Sequence, residues 1–268
     1  MISCTSFSTD NESPAGYDLN APQTYVLSEE LLEISGLAFH RDMQESLWGV
    51  ADELGIIYGI YLGDKKTTPI KFGPKGDYED IAIYQDKVFV LRSDGVLFVS
   101  SFLPNEKMEL QEVKSYTDLL PKGEYESLYV NEKEQLFVLC KKCKQEDKDA
   151  VEGHVLQMKY ENLAYAESFA IDLREFYAWS DQKKRFRPSG LAQHKLTRDW
   201  YILSSVNNTL LITDSTWSIK NAYFLHPSLF GQPEGIGFDL DHNLYISNEG
   251  DDGVSPNILR FDFNQTNH

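Results

Sequence analysis

The stretch 233–250, PEGIGFDLDHNLYISNEG, contains two short apolar runs on either side of the polar segment DLDHN. Alternation of apolar and polar residues within both runs predicts two β-strands joined by a turn. The opening pentapeptide PEGIG has relatives at four earlier points, which are ISGLA from Ile34, YEDIA from Tyr78, YESLY from Tyr125 and PSGLA from Pro188. The stretch is therefore one copy of a repeat that runs through the chain.

The repeat has a period near 45 residues. Successive pentapeptides are separated by 44, 47, 63 and 45 residues, and each opens a short apolar run that is followed by further strand-like runs. Four short strands at this period are typical of a β-propeller blade, a small antiparallel sheet that packs face-on against its neighbours. We predict an all-β fold with one β-propeller domain over residues 23–268 and five four-stranded blades. Six blades are the alternative, if the 63-residue interval contains an extra sheet.

The last repeat contains only three strand-like segments and ends with NILRFDF. We expect the N-terminal segment QTYVLS, residues 23–28, to supply its fourth strand and so close the ring without an open edge. Residues 1–22 are then a flexible tail or tether. The opening MISC resembles the end of a bacterial lipoprotein signal, so a lipid anchor at Cys4 is one interpretation and a polar tail in which Cys4 has no role is the other.

Composition limits the partners that the protein can have. The chain has 25 basic and 42 acidic residues and a net charge of −17, which repels nucleic acid and attracts cations. No apolar run is long enough to predict a transmembrane segment. We expect a monomer whose partner is a small molecule or a component of the cell envelope. The CKKC motif at Cys140 and Cys143 has no second cysteine pair with which to form a four-cysteine zinc site, and we interpret it as a pair at a strand end, disulfide-bonded if the protein is exported.

Acidic residues recur at one point of the repeat. In a blade, the first strand begins at the same mouth of the channel where the second strand ends, because the two strands are antiparallel. This places side chains from distant parts of the sequence together. As oxygen ligands of a possible calcium ion, the pattern predicts Glu79, Glu126, Glu234, Asp52 and Asn248. As contacts of a bound ligand, it predicts Arg92, Lys141, Arg187, Ser35, Ser189 and Glu249. The alternative is that the acids only solvate the channel and the basic residues only neutralise them.

The segments LEISGLAFH, DYEDIAIYQDKVFVLRSDGVLF and QPEGIGFDLDHNLYISNEG, in this order, resemble the SdiA-regulated family, the YjiK/CarP-like β-propellers. The resemblance covers about residues 30–264. NHL-repeat, gluconolactonase-like and phytase-like propellers are similar at a greater distance. The resemblance implies a bacterial cell-envelope propeller, periplasmic or associated with the outer membrane, with a link to calcium, and it points to Glu79, Glu126 and Glu234. Ser35 and Ser189 stand where acids would favour the multi-calcium centre of a phytase-like propeller.

Two functions fit these features. The first is a cation-dependent module that binds a ligand or partner, and the second is a calcium-dependent hydrolase of phosphoesters or lactones. The sequence contains no G-x-S-x-G, H-E-x-x-H or phosphate-loop motif, so catalysis in the second case would depend on carboxylates or a bound cation. The histidines are scattered, and two of the five pentapeptides have a serine instead of an acid at their second position. Both features favour binding over catalysis.

Overall fold

The computed structural model describes residues 12–40, 46–102, 109–144, 147–180 and 183–264. Within these ranges, twenty strands form five four-stranded antiparallel sheets. The first strands of the five sheets contact one another in sequence around the centre and close into a ring. The fold is therefore the predicted five-bladed β-propeller, and the alternative of six blades is wrong.

Strand β1 (Gln23–Val26) precedes the first complete blade and belongs to the last one. Blade one contains β2 (Ile34–Phe39), β3 (Ser46–Ala51), β4 (Ile56–Tyr61) and β5 (Thr67–Lys71). Blade two contains β6 (Tyr78–Tyr84), β7 (Lys87–Arg92), β8 (Leu97–Ser101) and β9 (Lys114–Tyr116). Blade three contains β10 (Gly123–Val130), β11 (Gln135–Cys143), β12 (Ala150–Lys159) and β13 (Asn162–Asp172). Blade four contains β14 (Gly190–Gln193), β15 (Trp200–Ser204), β16 (Thr209–Thr213) and β17 (Ile219–Phe224). Blade five contains β18 (Pro233–Phe238), β19 (Leu244–Asn248) and β20 (Asn257–Phe261).

The ring closes through β1, as predicted. Strand β1 pairs antiparallel with β20, from Gln23 opposite Arg260 to Val26 opposite Asn257. The last sheet therefore combines one strand from the N-terminus with three from the C-terminus. This arrangement covers the edge of β20, which would otherwise present unpaired backbone groups.

The long third interval contains a longer hairpin and a short helix, α1 (Arg174–Trp179), rather than an additional sheet. The α1 side chain of Phe176 is fully buried, and Tyr177 and Trp179 pack at the edge of the same apolar cluster. Tyr177 also accepts a hydrogen bond from the backbone N–H of Phe186, at 2.9 Å. The aromatic residues of this insertion thus belong to the core between blades three and four.

The segment before β1 packs on the propeller from residue 12 onward. Tyr17 and Leu19 are buried in the cluster of apolar side chains that joins blades four and five. The Tyr17 hydroxyl donates a hydrogen bond of 2.6 Å to the backbone carbonyl of His242. Cys4 lies outside the described residues, and its lipidation stays a prediction. No helix in the described ranges is long and apolar enough to cross a membrane.

Candidate functional site

The second residue of the pentapeptide lies at a β-bulge in four of the five blades. In blade two, Tyr78 pairs with Arg92 and Asp80 with Leu91, so Glu79 is the extra residue. Blade three repeats this arrangement at Glu126. Similar register shifts interrupt the first strand of blades one and five, between Ile34 and Leu37 and between Pro233 and Ile236. A bulge redirects the side chain of the extra residue, which explains how these strand residues leave the faces of their sheets.

Six acidic residues at this end of the propeller form what we call the acidic mouth, together with the single lysine Lys141. The acids lie at the starts of first strands, just before first strands or at the ends of second strands. They are Asp52, Asp77, Glu79, Glu126, Glu234 and Glu249. Five of these acids influence one another electrostatically, and Glu126 joins them through Lys141. The mouth therefore concentrates negative charge from blades one, two, three and five.

Crowding and burial favour the protonated forms of these carboxyls. Burial raises the pKa of Glu79 to about 9, and the nearby Asp77 carboxylate acts in the same direction. Burial and the Glu234 carboxylate raise the pKa of Glu249 to about 8. Burial and a hydrogen bond with Asp77 raise the pKa of Asp52 to about 7. A cation bound among these groups would offset their mutual repulsion and favour their ionised forms.

Lys141 is the internal cation of the mouth. Its ammonium group forms an ion pair with Oε1 of Glu126. Burial raises the pKa values of Glu79 and Glu234, and the Lys141 ammonium partly offsets this rise. Glu126 is only 7% exposed, and its second oxygen, Oε2, is buried without a hydrogen-bond partner in the described parts of the chain. A buried carboxylate oxygen is costly to leave unpaired, so Glu126 retains an unused acceptor beside the cluster.

Blade four contributes neutral groups and one cation. The Ser189 hydroxyl donates to the backbone carbonyl of Pro233 at 2.9 Å, and Ser189 and Ser205 both interact with the Glu234 carboxylate. Arg187 donates from its guanidinium to the backbone carbonyl of Lys141 and thus lies at the rim. These contacts hold the segment before β14 against Lys141 and Glu234.

Three predicted residues form hydrogen bonds with groups other than the clustered carboxylates. Arg92 forms two hydrogen bonds of 2.8 Å with the carboxylate of Asp94, in the turn that follows β7. The side-chain nitrogen of Asn248 donates to the Leu229 carbonyl at 3.2 Å and to Oδ1 of Asn257, in β20, at 3.0 Å.

The third of these residues is Ser35. Its side chain is buried, and its hydroxyl contacts the backbone carbonyl of Glu33 at 3.4 Å. The structure therefore gives Arg92, Ser35 and the side-chain nitrogen of Asn248 partners within the protein. Oδ1 of Asn248, the predicted ligand atom, is buried without a hydrogen-bond partner in the described residues.

Sequence reasoning missed a second set of residues, directly before each pentapeptide. These residues are Glu33, Asp77, Glu124, Arg187 and Gln232, of which only Arg187 was predicted. Asp77 raises the pKa values of Asp52 and Glu79, and Gln232 donates a hydrogen bond to Glu249. The repeat contained a signal for these residues, because each lies two positions before the second residue of the pentapeptide, and residues two apart in a regular strand point to the same side. The bulge then changes the direction of the second residue.

Toward the other end of the channel, the first strands of the five blades form an apolar wall. The fourth residue of every pentapeptide is a buried leucine or isoleucine, and all five line one cavity of about 120 Å³: Leu37, Ile81, Leu128, Leu191 and Ile236. The acidic mouth thus brings several carboxylates together, whereas the cavity at the opposite end combines this apolar wall with a few polar side chains, among them Gln85, Glu132 and Lys195. Of the two ends, the mouth is the one equipped for cation chemistry.

The sequence matches no protein-family model and no curated protein sequence. Solved structures do match. Glutaminyl cyclase from Myxococcus xanthus aligns with a TM-score of 0.61 and 14% identity, over 90% of this chain and 94% of that chain. The calcium-binding protein regucalcin from Agrobacterium tumefaciens aligns with a TM-score of 0.53 and 13% identity, over 97% of both chains. A gluconolactonase from Xanthomonas campestris has a TM-score of 0.50 and 10% identity, over 94% of this chain and 99% of that chain. At these identities the chain shares a fold with propellers of different activities.

Proposed function

We propose that the protein is a binding module whose acidic mouth takes up a divalent cation, calcium being the best fit, and uses it to hold a small ligand. The observation that carries this proposal is the convergence of buried carboxylates around Lys141, with Oε2 of Glu126 left unpaired. One lysine cannot neutralise six acidic side chains. A further cation is the simplest way to stabilise them in their ionised forms.

Calcium suits the available ligands. It binds six to eight oxygen atoms and tolerates irregular geometry, whereas magnesium requires a near-ideal octahedron. The mouth offers carboxylates from Asp52, Glu79, Glu234 and Glu249, and the neutral side chains of Ser189 and Gln232 lie beside them. Because several of these groups are partly exposed, a bound cation would keep coordination positions open to solvent.

The coordination positions that stay open to solvent indicate which class of ligand the cation can bind. A calcium ion held by carboxylates attracts hard oxygen donors, so we infer a ligand with a carboxylate or phosphate group. Regucalcin, a calcium-binding protein of the same fold, is consistent with this use of a propeller. Placement in the bacterial envelope, as the SdiA-regulated resemblance implies, is part of the same proposal.

One observation favours hydrolysis as a second candidate function. The pKa of Asp52 is raised to about 7, the range in which a carboxylate can accept a proton from water near neutral pH. In this alternative, the other carboxylates of the mouth hold the cation that polarises the substrate. Asp52 stays outside the coordination of the cation and serves as the general base for a phosphoester or lactone. The gluconolactonase from Xanthomonas campestris has this fold, and a lactone is thus a reasonable first substrate to test.

Calorimetry on chelator-treated protein tests the first proposal. We expect micromolar calcium binding by the wild type and at least about a 100-fold weaker affinity in the variant Glu79→Gln/Glu126→Gln/Glu234→Gln. The matched control is Glu161→Gln/Glu167→Gln/Glu175→Gln, which removes three exposed carboxylates from blade three and α1. Because both variants replace three glutamates by glutamine, a difference between them reports the position of the carboxyl groups rather than their number.

Two outcomes would contradict the proposal. Equal losses of affinity in both triple variants would mean that calcium responds only to net charge, and no binding by the wild type would exclude a calcium site. Calcium-dependent turnover of a lactone or phosphoester, abolished by Asp52→Asn with calcium binding retained, would support hydrolysis. Binding without turnover would leave the module as the function.

A further inference from the structure

A second group of metal-ligating side chains lies outside the acidic mouth, on blade three. It consists of Cys143 at the end of β11 and of Glu152 and His154 on β12. One sulfur, one carboxylate oxygen and one ring nitrogen lie within 4.8 Å of one another. Cys143 is joined to Cys140 by a disulfide.

The register of the sheet explains why these residues meet. Val138 on β11 lies opposite His154 on β12, and Leu139 lies opposite Gly153. Continuing this antiparallel register by one residue places Cys140 opposite Glu152, on the face that also carries His154. The pairing of β11 with β10 shifts at Lys141, and this extra residue returns Cys143 to the face that carries Cys140. The motif C-x-x-C on β11 and the motif E-x-H on β12 therefore present their side chains to the same space.

His154 has no partner that accounts for its burial. Its side chain is fully buried, and neither ring nitrogen forms a hydrogen bond within the ranges that the structure describes. The nearest polar group is the Glu152 carboxylate, with Nε2 and Oε1 separated by 3.6 Å. Its ring neighbours are Tyr125 and Tyr165, with ring centroids 5.8 and 6.0 Å away. A buried imidazole without hydrogen-bond partners is energetically unfavourable, and a bound cation would supply the missing partner.

The spacing suits a tetrahedral metal ion. With bonds of about 2.0 to 2.3 Å to nitrogen, oxygen and sulfur, two ligands of tetrahedral zinc lie roughly 3.3 to 3.8 Å apart. The separation of 3.6 Å between His154 and Glu152 falls within this range, although it is long for a hydrogen bond. A cavity of about 420 Å³ touches Cys140, Cys143 and Glu152 and provides an access route.

We propose that reduction of the Cys140–Cys143 disulfide creates a binding site for a zinc-class divalent cation, formed by both thiolates, the Glu152 carboxylate and a His154 ring nitrogen. In the reduction, a dithiol donates two electrons to the protein disulfide and becomes a disulfide itself, and its two protons pass to the protein sulfurs. The cation then displaces these protons as the thiolates coordinate it. Oxidation by a small-molecule disulfide reverses the exchange and releases the cation.

The test uses the full chain with Cys4→Ser in every sample, so that only two cysteines remain. One half is reduced with a water-soluble phosphine, which takes up oxygen from water as it cleaves the disulfide, and the other half stays oxidised. Cobalt(II) is the spectroscopic probe, and zinc affinity is measured by competition with a coloured chelator. The acidic mouth is present in both samples, so the difference between them isolates the blade-three site.

We expect one equivalent of cobalt to give the visible and charge-transfer absorption of a tetrahedral thiolate complex in the reduced protein alone. Zinc should bind the reduced protein at least about 100-fold more tightly than the oxidised protein. His154→Gln should lose at least about tenfold in zinc affinity, whereas His226→Gln, which changes an exposed histidine, should not.

Equal zinc affinity in the oxidised and reduced proteins, or an unchanged affinity in His154→Gln, would overturn the proposal. An octahedral cobalt spectrum would do so as well. The comparison of oxidised with reduced wild type needs no substitution, so the proposal stays testable if a variant fails to fold. Its outcome is independent of calcium binding at the acidic mouth.

Discussion

At the scale of single residues, Gly36 lies where blades one and two approach closely at the start of the channel. A Cβ atom added to Gly36 would lie 2.2 Å from Oδ1 of Asp80 and 2.6 Å from the backbone nitrogen of Ile81. Asp80 cannot withdraw, because its two oxygens accept hydrogen bonds from the backbone N–H groups of Ile81, at 2.8 Å, and Leu128, at 2.6 Å. The third residue of the pentapeptide is thus restricted by the adjacent blade.

We predict that Gly36→Ala lowers the free energy of unfolding by about 2 to 3 kcal/mol, because the added methyl group must displace backbone atoms. Urea unfolding followed by tryptophan fluorescence measures the change. The control is Gly231→Ala, where a Cβ atom meets nothing within 4 Å and a change below about 0.5 kcal/mol is expected. Equal effects of the two substitutions would contradict the close approach of blades one and two.

His194, near the apolar end of the channel, predicts an acid-dependent loss of stability. The side chain is 1% exposed, and burial lowers its pKa to about 4, with His242 acting in the same direction and Asp199 opposing. The folded protein therefore keeps this imidazole neutral in a pH range where the unfolded chain binds a proton. Its contribution to stability is present above about pH 6.5 and is lost as the pH falls toward 4.

We expect the difference in unfolding free energy between wild type and His194→Gln to shift by about 2 kcal/mol between pH 7.5 and pH 4.5, with the variant relatively more stable in acid. Urea unfolding at several pH values measures it. Since both proteins contain every other titrating group, a difference that stays constant over this range would contradict the lowered pKa.

At the scale of elements, β1 is the strand on which ring closure depends. The backbone N–H of Leu27 donates to the carbonyl of Pro256 at 2.9 Å. Because hydrogen-bonding positions alternate along an antiparallel pair, the N–H of Tyr25 faces Ile258 and the N–H of Val26 faces away from the sheet. The two neighbouring positions should therefore respond differently to proline.

We predict that Tyr25→Pro lowers the free energy of unfolding by at least about 2 kcal/mol, whereas Val26→Pro costs less than about 1 kcal/mol. Tyr25→Ala controls for loss of the side chain. Thermal unfolding gives the stability, and light scattering detects association through an exposed β20 edge. Equal tolerance of both prolines would mean that β1 contributes little to closure.

At the scale of the whole molecule, the acidic mouth links stability to both pH and calcium. Asp52, Glu249 and Glu79 have pKa values raised to about 7, 8 and 9. In the metal-free protein, their contribution to stability is complete below about pH 4.5 and is lost as the pH rises through these values. A bound cation favours the ionised carboxylates and so reverses this loss.

We expect calcium at 100 times its dissociation constant to stabilise the protein at pH 8 by about 2.7 kcal/mol, and by much less at pH 5. Thermal unfolding of chelator-treated protein, with and without calcium, measures the effect. Sodium chloride at matched ionic strength controls for screening of the net charge of −17. A larger effect of calcium at pH 5 than at pH 8 would contradict the assignment.

The repeat, by itself, predicted five blades with six as the alternative, a closing strand from the N-terminus and the end of the propeller at which acids gather. These features follow from local alternation and period, because every blade repeats the same strand order. The resemblance to the SdiA-regulated family and the envelope location stay predictions. The roles of the mouth residues also stay predictions until a cation is tested.

Only the tertiary structure decided which side chains meet. The bulges at Glu79 and Glu126 turn these residues out of their sheets, and Arg92 pairs with its own turn instead of the mouth. Asp77 joins the cluster from the loop before its strand, and His154 meets Cys143 across a sheet. The physical reason is that side-chain direction depends on register and on contacts between blades. A sequence period specifies neither of these, because both arise only when distant strands pack.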